Sequence, residues 1–303
     1  MTALQYSYNQ MEKLYLPQGI GKSRWQAPFY KKFLDFCEIN NFKMITKETV
    51  DSWLKYYKYN TNKTKASHIG LIRNLSTFIN FLGGTAYIPD EEYSFKIEHF
   101  NPIILNSRQL SELFTAIDKE NKPTYSILFR LMYCCGLRPG EAVRIKRNDF
   151  DVLSGNLYIY CSKYNKDRHI ITSEDIRRLC ERYDSSAGIR EYFFSNKGSK
   201  IETQRLSGFL RRVIQKNNLY FAKGFRPYDF RHNFATQNIM NWLDKDLDIM
   251  TMLPYLSTYM GHKKFSYTYY YIHLLPERLL QSKNVDWNRL KKVYADEELY
   301  GKD

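Results

Sequence analysis

Three short segments carry side chains suited to work on a single phosphodiester. Gly136-Leu137-Arg138-Pro139-Gly140-Glu141 offers an arginine at a helix break, with a carboxylate three residues on. Phe225-Arg226-Pro227-Tyr228-Asp229-Phe230-Arg231-His232 offers a second arginine among hydrogen-bonding groups. Met260-Gly261-His262 is followed nine residues later by Tyr271, in the run Tyr269-Tyr270-Tyr271. Phosphoryl transfer asks for cations around a pentacoordinate phosphorus, an in-line nucleophile and a proton donor for the leaving oxygen. Arginine suits the first role because its planar fork bonds two phosphate oxygens and keeps its charge. A phenol suits the second: a phosphotyrosyl ester conserves the bond energy and allows rejoining without ATP. Its free pKa of about 10 means that nearby cations must stabilise the phenolate. Lys163, on the turn Ser162-Lys163-Tyr164-Asn165-Lys166-Asp167, could reach the leaving oxygen as general acid.

Each part taken alone has a plainer reading. Arg138 reads as a cation meeting a helix C-terminus, and Lys163 as a solvated hairpin lysine. Tyr228 and Arg231, spaced i, i+3 after Pro227, share a helix face, whereas His232 points elsewhere and reads as a hydrogen-bonded structural histidine. Phe265, Tyr267, Tyr269, Tyr270 and Tyr271 read as an aromatic stripe in a chain with 26 tyrosines. Joint occurrence, in order, within one domain is what favours chemistry.

These groups need elements to hold them. Phe29, Phe33, Phe36 and Cys37 fall at i, i+4, i+7, i+8 and predict a helix over roughly 23–40. Val50, Trp53, Leu54 and Tyr57 repeat the pattern after Thr46, a fitting N-cap. A third helix, about 64–82, ends at Gly83-Gly84 and carries Lys63, Lys65 and Arg73 at or near its start. Pro89, the acidic run 90–92 and Pro102 break the periodicity, so 85–104 reads as a connector. Leu110, Leu113, Phe114 and Ile117 open a new helical region, and a buried helix over 123–135 breaks at Gly136. Residues 156–161 and 168–172 read as strands, 191–195 as a third, and the chain is helical again from about 202.

The chain has 303 residues, enough for two domains, with 43% apolar content and a formal charge of +14. Residues 1–100 hold 13 Lys and Arg against 9 Asp and Glu, and the remainder 33 against 23. Positive charge spread over both halves suits a polyanionic partner. The five cysteines form no CxxC pair and read as reduced thiols, and no apolar run is long enough to cross a membrane. The expectation is a soluble cytoplasmic protein without membrane contact. Asp149, Asp151 and Asp167 are scattered loop acids unlike a two-metal cluster, so neither a metal nor another cofactor is expected.

In its motifs the chain resembles the tyrosine recombinases of the phage-integrase type. The 136–141 segment is similar to the family's first arginine motif, and 162–168 to its β-hairpin lysine motif. Residues 228–232 are similar to the motif written His-x-x-Arg, and 260–262 to the one preceding the nucleophile. The resemblance covers about 101–285 with specific motifs and the first hundred residues by architecture alone. It implies a mostly α fold with a small antiparallel β-sheet. The domains would be a helical core-binding domain over 1–88, a linker over 89–104, an α+β catalytic domain over 105–285 and a tail over 286–303. The stretch beyond Pro276, with Val285, Trp287, Leu290 and Val293 at approximate helical spacing, would dock on a neighbouring protomer or on its own domain.

By the same resemblance Tyr271 attacks the scissile phosphate, Arg138 and Arg231 clamp its oxygens, His262 and Tyr228 add hydrogen bonds, and Lys163 protonates the 5′-oxygen. Glu141 and His232 support them. Tyr228 stands where the family has histidine, and the spacing from Arg231 to His262 is long, implying an extra loop or helix turn around 241–254. Duplex DNA is the implied partner, contacted by Lys22, Arg24, Lys63, Lys65, Arg73 and Lys166. A tetramer on two DNA sites, an accessory or directionality factor, and a nucleoid-associated bacterial protein are also implied. The wording of 255–276 looks most like integrases and transposases of mobile elements in low-GC bacteria, so integration or excision is the expected activity. The alternatives are a DNA-binding accessory protein on the same scaffold, or a type-IB-like topoisomerase or nicking activity.

Overall fold

Apolar residues at helical spacing build two compact units, Met1–Phe100 and Asn101–Asp303. The structure, a computed structural model, describes residues 2–15, 26–96, 101–160, 167–196, 198–262 and 264–272. The first unit holds α1 (Ala3–Tyr15), α2 (Gln26–Ile39), α3 (Lys47–Tyr56) and α4 (Asn62–Phe81). Phe29, Phe33 and Phe36 of α2 close on Trp53 of α3, whose indole meets the Phe33 ring edge-on at 5.3 Å. Ile69, Ile72 and Leu75 of α4 complete this buried cluster. Reciprocal hydrogen bonds between Thr46 and Thr49 open α3, as the sequence predicts, and Gly83 with φ of 84° follows the end of α4.

The sequence reading of this unit departs from the structure at α1 and at Arg73. The helix α1 is not anticipated, although Leu4 and Met11, seven residues apart, bury one stripe of it. The boundary between the two units falls within the connector expected over 89–104. Tyr87 N–H donates to Ile45 O (2.7 Å) and the Tyr93 hydroxyl to Asp51 (2.8 Å), while the Asn233 amide group bonds Ile103 O (2.8 Å) and Leu105 N (2.7 Å) from the second unit. Arg73 lies in the middle of α4, not near its start. Its Nε donates to Pro89 O (2.8 Å), so it holds the segment after the helix.

In the second unit α5 (Ser107–Asp118), α8 (Glu174–Ser186) and α10 (Asp229–Asp244) surround the apolar α6 (Pro123–Cys135). Leu128, Phe129, Leu131 and Met132 of α6 are fully buried. A one-turn α7 (Pro139–Ala142) follows α6. The strands β1 (Phe150–Asp151), β2 (Asn156–Ile159) and β3 (Arg168–Ile171) form an antiparallel sheet in that order, with Ile159 opposite Arg168. The strand expected over 191–195 is reduced to one bridge between Lys146 and Tyr192. Ser195 instead opens a two-residue ladder, β4 (Ser195–Asn196) with β5 (Ser199–Lys200). α9 (Thr203–Lys216) precedes α10.

The long interval between Arg231 and His262 is not an inserted loop. α10 runs on to Asp244, a short turn follows, and α11 (Ile249–Met260) fills the rest with Pro254 inside it. Ile239, Leu243, Ile249, Leu253 and Leu256 pack α11 on α10, together with Tyr269 and Tyr271. The last described helix is the single turn α12 (Ser266–Tyr269). The stretch beyond Pro276 expected to dock lies outside the described residues. Among the described residues no helix is long and apolar enough to cross a membrane.

Candidate active site

Two glycine-terminated helices bring the arginines together. α6 ends at Gly136 in the left-handed conformation (φ 60°). An added Cβ there would lie 2.5 Å from Cδ1 of Phe234, so glycine is required for both conformation and space. The chain reverses there and presents Arg138, and the freed Gly136 carbonyl accepts from Arg231 Nη1 (2.6 Å). α11 ends the same way at Gly261 (φ 64°). Its last two carbonyls take one guanidinium each: Met260 O accepts from Arg231 Nη2 (2.7 Å) and Gly261 O from Arg138 Nη2 (3.0 Å). Unpaired carbonyls at a helix C-terminus carry negative partial charge and hold cations well. Two like charges thus sit side by side on consecutive peptide units.

Glu141 offsets them. Its buried carboxylate accepts from Arg138 N (2.9 Å) and Nη1 (2.6 Å), and from Arg168 Nη1 (3.2 Å) and Nη2 (2.9 Å). Burial alone would raise its pKa, but the bonds and charge of Arg168, and then of Arg138, hold it down at about 2. With three guanidiniums to one carboxylate, the cluster stays cationic. Arg231 is fully buried and its Nε has no hydrogen-bond partner among the described residues. A buried unpaired donor beside a second arginine is a site prepared for an anion.

The aromatic groups lie against this cluster. The Tyr271 and His262 rings are nearly parallel, with centroids 6.1 Å apart, and His232 lies 5.6 Å from Tyr271 on another side. Tyr271 is 2% exposed. Burial pushes its hydroxyl up to about 12, with Arg231 and then Arg138 pulling the other way. Burial, and then the positive charge of Arg231 and its neighbours, hold His262 down at about 3 and His232 at about 4, so both imidazoles are neutral at physiological pH. Tyr228 sits at the N-cap of α10, 37% exposed, its ring 5.0 Å from His232.

The structure therefore gathers Arg138, Glu141, Tyr228, Arg231, His232, His262 and Tyr271. It corrects the reading of His232 as pointing elsewhere: this residue is one turn on from Tyr228 with its ring beside Tyr271, and its buried Nδ1 has no hydrogen-bond partner among the described residues. Lys163, Lys166, Lys22 and Arg24 lie outside the described residues. Lys63 is exposed on the first turn of α4, and the Lys65 ammonium lies over the Phe95 ring (4.4 Å). Two residues at the site are not singled out by sequence reasoning. Arg168 stands in the quoted lysine segment but shows its role only once β3 faces Glu141. Thr268, whose Oγ1 is 2.7 Å from His262 Nδ1, carries no signal beyond its spacing of six residues. Among the described residues, no three His, Cys, Asp or Glu side chains come together as a metal ligand set.

Comparison with known proteins gives this cluster its context. The phage integrase family model matches residues 104–278. The Sinorhizobium fredii protein named integrase/recombinase y4rE is 30% identical over 184 residues, which are 56% of this chain and 59% of that protein. A tyrosine recombinase of Pseudothermotoga lettingae is 26% identical and covers 84% of this chain and 87% of its own. Among solved structures, the Tn1549 transposon integrase in complex with a circular intermediate DNA matches with TM-score 0.63 at 14% identity, over 89% of this chain and 95% of that one. A lambda integrase dimer bound to a COC′ core site matches with TM-score 0.61 at 15% identity, over 89% and 95%. At these identities the structural likeness concerns the fold. The family model, which matches more than half of the sequence, decides the assignment: the chain belongs to the phage integrase family, the family of the tyrosine-type site-specific recombinases.

Proposed function

We propose that this protein cuts and rejoins duplex DNA at specific sites through a 3′-phosphotyrosyl intermediate, and that it does so to integrate or excise a mobile element. One observation carries the reading: Arg138 and Arg231 are fixed on adjacent carbonyls at the end of α11, with the Tyr271 ring beside them. In the first step Tyr271 gives its phenolic proton to solvent water, its Oη bonds to phosphorus, and the bond from phosphorus to the 5′-oxygen breaks. Lys163, in the segment joining β2 to β3, protonates that oxygen. Arg138 and Arg231 take the charge on the non-bridging oxygens, and His262 and Tyr228 donate to the same anion. A phenol at 228 donates well and accepts a proton poorly, so Tyr228 is a phosphate ligand in this scheme. Attack by the 5′-hydroxyl of a partner strand then reverses the step.

The formal charge of +14 and the DNA-bound relatives support duplex DNA as the substrate, with 1–88 as a DNA-binding domain and 105–285 as the catalytic domain. Strand exchange needs four protomers on two sites and leaves room for a directionality factor. A second reading, a resting or DNA-dependent enzyme, draws on the enclosure of Tyr271: a residue 2% exposed has to be uncovered before it meets a phosphate.

The test is a nicked duplex that traps the cut strand. Incubation with cognate end DNA should yield a covalent protein–DNA adduct, lost with Arg231→Gln and strongly slowed with Arg138→Lys. Binding without an adduct would favour the accessory role, and relaxation of supercoiled plasmid without joint molecules would favour the topoisomerase.

A further inference from the structure

Thr268 is fully buried, and its Oγ1 lies 2.7 Å from His262 Nδ1. Among the described residues this is the hydroxyl's one hydrogen bond. Its carbonyl also accepts from the Tyr271 amide (3.1 Å), so one residue is tied by its side chain to the histidine and by its backbone to the tyrosine. His262 is neutral, so one ring nitrogen carries a proton and the other does not. The hydroxyl decides which. If Thr268 accepted a hydrogen bond from Nδ1–H, its own buried O–H would have no acceptor among the described residues, at the full cost of an unsatisfied donor. If it donates to a bare Nδ1, both groups are satisfied and the proton sits on Nε2.

We infer that Thr268 is the positioning residue that locks His262 as the Nε2–H tautomer, making it a hydrogen-bond donor toward the anion rather than a base toward Tyr271. The inference rests on the proposed function for its catalytic meaning, and not for the tautomer itself. It has a consequence for the covalent step. The imidazole stacked on Tyr271 cannot take the phenolic proton while Thr268 holds Nδ1 bare and Nε2 protonated. It can only stabilise the negative oxygen that the attack creates. Because Thr268 and Tyr271 lie on the same short stretch of chain, a movement that uncovers Tyr271 also loosens the Thr268 bond. Histidine orientation and nucleophile placement are therefore coupled.

The experiment uses the full chain labelled with ring-15N histidine. Two-bond proton–nitrogen spectra report which nitrogen of each neutral imidazole is protonated, and His262→Gln assigns the signal. The expected spectrum has Nε2 protonated and Nδ1 bare in the wild type and in Thr268→Ser, which keeps the hydroxyl. Thr268→Val, which keeps the shape, should show a mixture or the opposite tautomer. In the trapping assay, Thr268→Val should slow cleavage by about tenfold, the effect of one misoriented donor, with duplex affinity unchanged and Thr268→Ser near wild type. Nδ1–H in the wild type, or an unchanged Thr268→Val spectrum, would overturn the inference. Failure of every variant and of the wild type to cleave would sink the proposed function while leaving the spectra to decide on Thr268.

Discussion

Glu141 is the most heavily used carboxylate of the site, and Glu141→Gln is the perturbation whose size can be worked out furthest. The carboxylate accepts four hydrogen bonds, two per oxygen, from Arg138 and Arg168. A glutamine has the same shape but exchanges one oxygen for an NH2 group. Whichever oxygen is replaced, two donors then face a third donor, and two guanidiniums lose the one charge that offsets them. A carboxyl that titrates at 4.5 when free and at about 2 here carries about 3 kcal/mol of pairing free energy at neutral pH. Breaking a buried ion pair by removing one partner costs about 3–5 kcal/mol, so the two routes agree. The sign with pH follows from a folded-state pKa below the unfolded one. The contribution is complete above about 4.5 and is lost as pH falls through about 2, because the unfolded chain binds the proton first. The assay is urea unfolding of the full chain, followed by hydrogen exchange in peptides from α6 and α10 so that the second unit is read separately. At pH 7 Glu141→Gln should lower the midpoint by about 1–2 M, from a slope of about 2–3 kcal/mol per M. At pH 3 roughly half or more of that difference should be gone. Equal midpoints at pH 7, or a difference that ignores pH, would refute the shared-carboxylate account.

Other outcomes follow from the same geometry. Tyr228→Phe should slow adduct formation by about tenfold through loss of one donor, and Tyr228→His should be tolerated; equal rates for wild type and Tyr228→Phe would take the phenol out of the site. Gly136→Ala should cost about 2 kcal/mol or more, seen as a lower melting temperature, because the new Cβ meets Phe234 in a left-handed conformation. His232 and His262 titrate at about 4 and about 3 in the folded chain, below the free value of 6.5, so stability falls as pH drops from about 6.5 toward 3. Unfolding by urea at pH 5 should take up protons, and His232→Gln should reduce that uptake by close to one.

Much of this was legible in the sequence because the signals are local. The apolar stripe of α2, the Thr46 cap of α3 and the Gly136 break of α6 each depend on residues within a turn or two of one another. The site residues were read for another reason: Arg138, Arg231, His262 and Tyr271 occur together, in order, within one domain. What stayed hidden depends on pairing across the fold. Arg168 is one basic residue among 46 Lys and Arg until β3 lies against α7 and its fork meets Glu141. His232 reads as structural until the ring of Tyr271, thirty-nine residues on, is seen beside it. Arg73 was read by its charge alone, and its hydrogen bond to the Pro89 carbonyl was not visible. The interval 241–254 read as an extra loop or helix turn because the spacing from Arg231 to His262 is long, and which of the two it holds depends on the packing of α11 on α10.

The central claim is that Tyr271, rather than either of its two neighbours, is the group that joins to DNA. Trapping the adduct on a nicked duplex, digesting it and locating the nucleotide-bearing residue by mass spectrometry tests this directly. The account predicts the nucleotide on Tyr271, with the adduct abolished by Tyr271→Phe and retained by Tyr269→Phe and Tyr270→Phe. A nucleotide on Tyr270 or Tyr269, or an adduct undiminished by Tyr271→Phe, would contradict it.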